Sequence, residues 1–236
     1  MASAGTELYR PIKKRRVFED VCEQIRARIY EESLRPGDKL PPERELAQRL
    51  GVGRAAVREA LRSLENAGIL HLQKGQKGGA FIQHFNPQVM STSVRDMIYL
   101  GRITLDDLIE TRMLMNDMVI PLVCERATDA DLDALEENVV ASEAAAGLSE
   151  RLAYTRQFYQ LLGLASHNHL VLTLLGALTE VVLDFVERAG PRPMQGVPEA
   201  RRNLVACLRK RDVAAAREEA HKITDAIHRY LEPFAK

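Results

Sequence analysis

The chain has 236 residues, 46% hydrophobic but only 5% aromatic and without Trp. That is enough for two domains, with cores built from Leu, Val, Ile and Ala, a composition that favours helices over a β-sandwich. Net charge is zero, yet residues 1–84 carry 16 Lys+Arg against 11 Asp+Glu and residues 85–236 carry 17 against 22, so only the front part suits a polyanionic partner. Cys22, Cys124 and Cys207 are widely spaced with no CxxC pair. They point away from a disulfide framework or a cysteine-based zinc site and read as buried free thiols in a reducing cytoplasm. No apolar segment follows the basic N-terminal stretch and no run reads as a membrane span, so a cytoplasmic protein with no membrane partner is expected.

Residues 1–16 lack periodicity and end in Lys13-Lys14-Arg15-Arg16; they read either as a solvated tail or as an arm touching DNA phosphates. From Val17, the residues Val17, Val21, Ile25 and Ile29 recur at helical spacing. Pro36-Gly37 breaks the chain, and Pro41-Pro42-Glu43 opens a second helix with an acid at its positive end. Gly51-Val52-Gly53 is a tight turn. A third helix from Arg54 to about Ala67 has Val57, Ala60, Leu61 and Leu64 as its buried stripe, and Gly68 ends it. Two β-like runs, 69–72 and 80–83, flank a glycine-rich basic tip and form a hairpin. Residues 84–102 read as a linker or interdomain helix. Beyond them helical patterns cover about 104–126, 129–146, 149–165, 168–188, 198–210 and 212–232.

Helix, turn, helix, then a basic hairpin is a mechanical pattern. A short amphipathic third helix packs one face and can insert the other into a major groove about 12 Å wide. Arg54, Arg58 and Arg62 are spaced i, i+4, i+8 along that free face. Gly53 and Arg54 stand at its N-terminus, where backbone N–H groups favour phosphate. Arg44 on the preceding helix, with Lys74 and Lys77 on the wing, can reach backbone or minor groove. An isolated row of arginines would more often be solvated charge; here it falls on the helix the motif inserts.

Residues 17–83, above all LRPGDKLPPERELAQRLGVGRAAVREALRSLENAGIL followed by KGQKGG, resemble the GntR-family winged helix-turn-helix. The resemblance implies that Arg44, Arg54 and Arg58 are the main DNA-contacting arginines and that Gly75 lies near the wing tip. It also implies a Ser or Thr before the arginine that opens the recognition helix. Gly53 stands there instead, with Ala55-Ala56 where Thr is common, so one hydroxyl-to-phosphate contact is expected to be lost or replaced by a backbone N–H, and base preference to differ from the family's usual.

The chain from 103 to 236 is similar to the FCD domain of the FadR subfamily, through Leu108-Ile109-Glu110-Thr111-Arg112, the segment 158–168, and Leu208-Arg209-Lys210-Arg211-Asp212. Many such domains hold a divalent metal with one Asp and three His. Here those positions align with Thr155, Tyr159, Arg201 and, near the last, Ile223 with His221 close by. A guanidinium repels a divalent ion, so no metal and no other cofactor are expected. Arg112 matches a cavity-lining arginine of related domains; with Arg201 and Tyr159 it forms the expected effector site for a carboxylate or acyl-CoA. The alternative is that Arg112 pairs with Glu110 or another acid. His221 and His228 read as a surface pair.

The expected architecture is mainly α: an arm at 1–16, a winged helix-turn-helix at 17–83 with three helices and a hairpin, a linker at 84–102, and an all-helical effector and dimerisation domain at 103–236. The expected function is a homodimeric repressor on double-stranded operator DNA, controlled by a small acidic metabolite or acyl-CoA. The competing reading is an effector-independent DNA-binding dimer with a degenerate ligand site. Catalysis by His167 or His221 beside Asp184 or Asp225 lacks a nucleophile–base–orienter spacing, so no enzyme is expected.

Overall fold

The computed structural model describes residues 17–31, 34–75, 78–83, 87–191 and 194–234. The arm and Lys77 lie outside the described residues. The chain divides into two compact units, Met1–Asn86 and Pro87–Lys236.

In the first unit α1 (Val17–Glu31), α2 (Glu43–Leu50) and α3 (Arg54–Asn66) precede β1 (Leu70–Gln73) and β2 (Gly79–Ile82). α1 buries Val21, Cys22 and Ile25. Val17, expected in that stripe, is 53% exposed: it is the first residue of the helix, and burial begins one turn later at Val21. α2 ends at Gly51 with φ 64°, its N–H bonded to the Ala47 carbonyl; this left-handed cap is cheap only for glycine. It turns the chain so that α3 buries Val57, Ala60, Leu61 and Leu64. β1 and β2 pair antiparallel from Leu70↔Ile82 to Gln73↔Gly79, about one residue off the expected ranges. The loop before α2 adds a third pairing: Leu40 N–H donates to the Ala80 carbonyl and Ile82 N–H to the Asp38 carbonyl, both at 2.8 Å. The hairpin is thereby tied to the same core as the helices.

The second unit is helical throughout its described residues: α4 (Gln88–Tyr99), α5 (Leu105–Arg126), α6 (Asp129–Glu143), α7 (Leu148–Ala165), α8 (His169–Ala189), α9 (Val197–Arg209) and α10 (Val213–Leu231), with a closing 3₁₀ turn. The boundaries follow local chemistry. Thr104 with Asp107, and Thr128 with Asp131, are capping boxes for α5 and α6, while Asn168 and Asp212 cap α8 and α10 through side-chain oxygens. Arg211, at φ 58°, donates to the carbonyls of Val123, Cys124 and Ala127, a cation on the negative end of α5.

Within the segment read as a linker, α4 packs against α8. Arg95 and Arg188 pair with Asp184 at 3.5 and 3.1 Å, and Tyr99 donates to the same carboxylate. α8 itself is long and apolar enough by composition to cross a membrane, contrary to the expectation that no run reads as a span. It is a core helix here, burying Val171, Leu175, Val182 and Val186, with Glu180 and Asp184 ion-paired. Of the thiols, Cys22 and Cys124 are buried as expected, but Cys207 is half-exposed.

Candidate functional site

The first candidate surface is the outer face of α2, α3 and the wing. Arg44, Arg54, Arg58 and Arg62 are all exposed, as are Gly53, Lys74 and Gly75. Burial of the 57-60-61-64 stripe forces the arginine row outward, since the two sets occupy opposite sides of one helix. Gly53 caps α3 in an extended conformation, with no side-chain cap bond; Ala56 N–H donates to the Gly53 carbonyl at 3.0 Å, which leaves the N–H groups of Arg54 and Ala55 for an anion. Gly75, at φ 107°, has open space where a side chain would stand; its role at the tip is conformational. Lys39, Arg58, Arg62, Lys74 and Gly75 line one open groove of about 590 Å³. Sequence reasoning missed Lys39, which stacks on Phe81 at 5.3 Å, and a charge pair across the helices. Arg58 Nε and Nη2 donate to Glu43 Oε2 at 3.2 and 3.0 Å. Arg44 and Arg54 have no such carboxylate among the described residues.

The second candidate lies within the helical unit. Arg112 on α5, Thr155 and Tyr159 on α7, Thr179 on α8 and Arg201 on α9 converge on one small cavity of about 30 Å³. Arg112 is 2% and Arg201 7% exposed. The expected alternative partner, Glu110, is exposed on α5, and neither guanidinium meets a carboxylate among the described residues. Arg112 donates to Thr179 Oγ1 at 3.1 Å and lies over the Tyr159 ring at 4.5 Å. Arg201 donates to Thr155 Oγ1 at 2.9 Å and lies over Phe158 at 5.3 Å. The Nε of each is buried without a partner. Burial pushes the Arg201 pKa down, Tyr159 opposes that, and neighbouring Arg112 adds to it. Two like charges held this close and dry suit an anion.

The same donor set bears on the fit of a metal. Thr155 spends its proton on the Arg151 carbonyl at 2.8 Å, Arg201 is a buried cation, and Ile223 belongs to the core. These residues do not fit a divalent ion. His221 does not line the cavity; it bonds Asp117 at 2.9 Å. His228 bonds Asp106 and His167 bonds Asp131, so the His–Asp pairs considered for catalysis do not form. Among the described residues, no three His, Cys, Asp or Glu gather as a metal cluster. Thr179 was absent from the residues expected at this site, although a lone Thr on the buried stripe of an apolar helix is a signal that something polar faces it.

Comparisons with known proteins cover both units. Residues 18–82 match "Bacterial regulatory proteins, gntR family" and residues 107–226 match the FCD domain. The chain is 32% identical over 155 residues to the HTH-type transcriptional regulator LutR of Bacillus subtilis, covering 64% of this chain and 68% of that protein. It is 28% identical over 184 residues to the putative L-lactate dehydrogenase operon regulatory protein of Escherichia coli, covering 75% and 69%. Among solved structures, Streptococcus agalactiae GntR is similar with a TM-score of 0.65 at 26% identity, covering 90% of this chain and 99% of that one. The relatives are transcriptional regulators and not enzymes. The chain belongs to the GntR family of DNA-binding transcriptional regulators and carries the FCD ligand-binding domain of its FadR-type members.

Proposed function

We propose that this regulator is a cytoplasmic homodimeric repressor, free of metal and other cofactors, that a small acid releases from a palindromic operator. Residues 17–83 are its DNA-binding domain, 84–102 its linker and 103–236 its effector and dimerisation domain. Arg44, Gly53, Arg54, Arg58, Lys74, Gly75 and Lys77 contact DNA, with α3 in the major groove and the wing beside it. Arg112, Tyr159 and Arg201 hold the acid.

One observation carries the effector half: two buried guanidiniums without a carboxylate among the described residues. Buried arginines are otherwise paired, and an anion completes both forks. α8 offers the route outward. Thr179, Val182 and Val186 face the cavity, while Asp184 on the same helix holds Arg95 and Tyr99 of α4. A shift of α8 on binding therefore moves the helix that follows the DNA-binding unit in the chain.

Operator fragments recovered by genome-wide footprinting should lose the protein when the right acid is added, read by fluorescence anisotropy. The lactate operon named for the Escherichia coli relative places lactate among the acids to try. R112Q and R201Q should bind operator and ignore the acid. Operator binding unmoved by every acid in a broad panel would establish the effector-independent reading instead. Light scattering should give twice the monomer mass, and a monomer at operator-binding concentrations would overturn the dimer.

A further inference from the structure

We infer that the acid this cavity takes is a carboxylate on an apolar body, entering carboxylate first. The inference rests on the reading above that the Arg112–Arg201 cavity is the effector site. The inner cavity, about 30 Å³, is the room of roughly two water-sized spheres. That matches the two oxygens of a carboxylate and is tight for the larger oxygen shell of a phosphate. Arg112 and Arg201 supply the charge from α5 and α9. Tyr159, Thr155 and Thr179 add hydroxyls, and apolar side chains, Val182, Leu183 and Ile227 among them, line the rest.

Immediately outside lies a wider chamber of about 270 Å³. The two spaces share Leu152, Thr155, Val186, Met194, Val197 and Arg201 as lining. Among the described residues Leu148 and Pro198 extend its apolar wall, while Ser142 and Arg151 add to the polar lining that Thr155 and Arg201 give it. The Ser142 hydroxyl is already committed to the Val139 carbonyl at 2.7 Å, and Arg151 is exposed at the surface. An apolar cavity of about 150 Å³ accommodates a benzene ring, so this chamber has room for a body of about six to ten carbons.

The order of the two spaces fixes the orientation of the ligand. Arg112 lines only the inner space, Arg201 reaches both, and the room for an apolar body lies in the outer chamber. A fatty acyl-CoA entering tail first would bury its methyl end against two unpaired guanidiniums and leave its own charge outside, which is the costly arrangement. A small hydroxy acid satisfies the arginines but leaves the outer chamber empty and forgoes its apolar contact.

The test is calorimetric titration of the full-length protein with octanoate, 3-phenylpropionate, lactate, citrate, octyl phosphate, octanol and octanoyl-CoA, each with and without EDTA. Octanoate or 3-phenylpropionate should bind about tenfold or more tighter than lactate, citrate, octanol and octyl phosphate, with no change in EDTA. R201Q should abolish that binding. Because removing a buried charge can alter folding, M194W provides a second arm: it fills the outer chamber and should weaken octanoate about tenfold while circular dichroism stays unchanged. Lactate, citrate or octanoyl-CoA binding as tightly as octanoate would overturn the inference, as would octanoate binding unchanged in M194W. Failure of the effector reading looks different: octanoate binds through Arg201 but operator affinity does not move. Lactate or citrate releasing operator while octanoate fails to bind would sink the inference and leave the effector reading standing.

Discussion

On α3, Arg54 stands in water with no carboxylate beside it among the described residues; in the helical unit, Arg112 and Arg201 stand almost without water and equally without a carboxylate. The exposed guanidinium keeps its hydration, and salt screens it. The buried pair has lost most of its hydration and receives one neutral hydrogen bond each in return. The same side chain is thus cheap in one unit and costly in the other. On the proposed effector reading, that cost is what makes the buried pair responsive, because an incoming anion would relieve a penalty already present in the free protein.

The contrast is sharpest if arginine is removed from both sides. Arg54→Ala or Arg58→Ala should lower operator affinity by about 1–3 kcal/mol with relaxed base preference at one position. Urea unfolding should stay within about 0.5 kcal/mol for Arg54→Ala and about 1 kcal/mol for Arg58→Ala, which also loses its pair with Glu43. Arg201→Leu should behave in the opposite manner: operator affinity unchanged, ligand response lost, and the unliganded protein more stable by about 1–2 kcal/mol. A loss of stability of that size would mean that the guanidinium is a structural group and that the contrast between the units is false.

A smaller effect separates positioning charge from reading charge within the first unit. Lys74→Ala should weaken all DNA sequences about equally and flatten the slope of log K against log salt by about 1. A selective loss on operator alone would place Lys74 among the base-reading residues. In the second unit the corresponding small change is Thr104→Ala, which removes the α5 cap at a cost of about 1 kcal/mol. Thr104 also holds the Asp107 carboxyl below the usual carboxylate range, through side-chain and backbone hydrogen bonds. Asp107 therefore contributes stability that is complete above the unfolded carboxylate pKa and lost as pH falls through its lowered folded value. Acid titration of Thr104→Ala should show a shallower loss of stability in that limb, and an unchanged limb would remove the cap from the account.

What was legible in the chain was local. The α3 stripe, the Pro and Gly punctuation and the acids at helix starts each act within a few residues, so periodicity and cap chemistry locate them. The burial of Arg112 is not local. The pattern Leu108-Ile109-Glu110-Thr111-Arg112 does not say which polar residue turns inward; that depends on Thr179, sixty-seven positions later, and on the Tyr159 ring. Family resemblance supplied Arg112 and Arg201 as positions, while their lack of carboxylates and the apolar chamber beyond them needed the packing of α7, α8 and α9. Val17 failed for a related reason: a periodic pattern does not show where the packed length of a helix begins.

The Glu43–Arg58 pair is the subtlest point of the comparison, since it gives one exposed arginine the carboxylate that the buried ones lack. Both side chains are partly solvated, at 34% and 51%, so the pair is worth at most about 1 kcal/mol of stability. Its geometry matters more than its energy. With Nε and Nη2 committed to Glu43, the guanidinium is held in one orientation on the groove-facing side of α3, and a phosphate approaching Arg58 meets a carboxylate as well. Glu43→Gln should therefore raise binding to random DNA while leaving operator binding nearly level, narrowing the operator-to-random ratio by up to about fivefold. Anisotropy with both duplexes at one salt concentration reads the ratio directly. An unchanged ratio would make Glu43 a solvated neighbour only, and Arg58 would then stand on the same footing as Arg54.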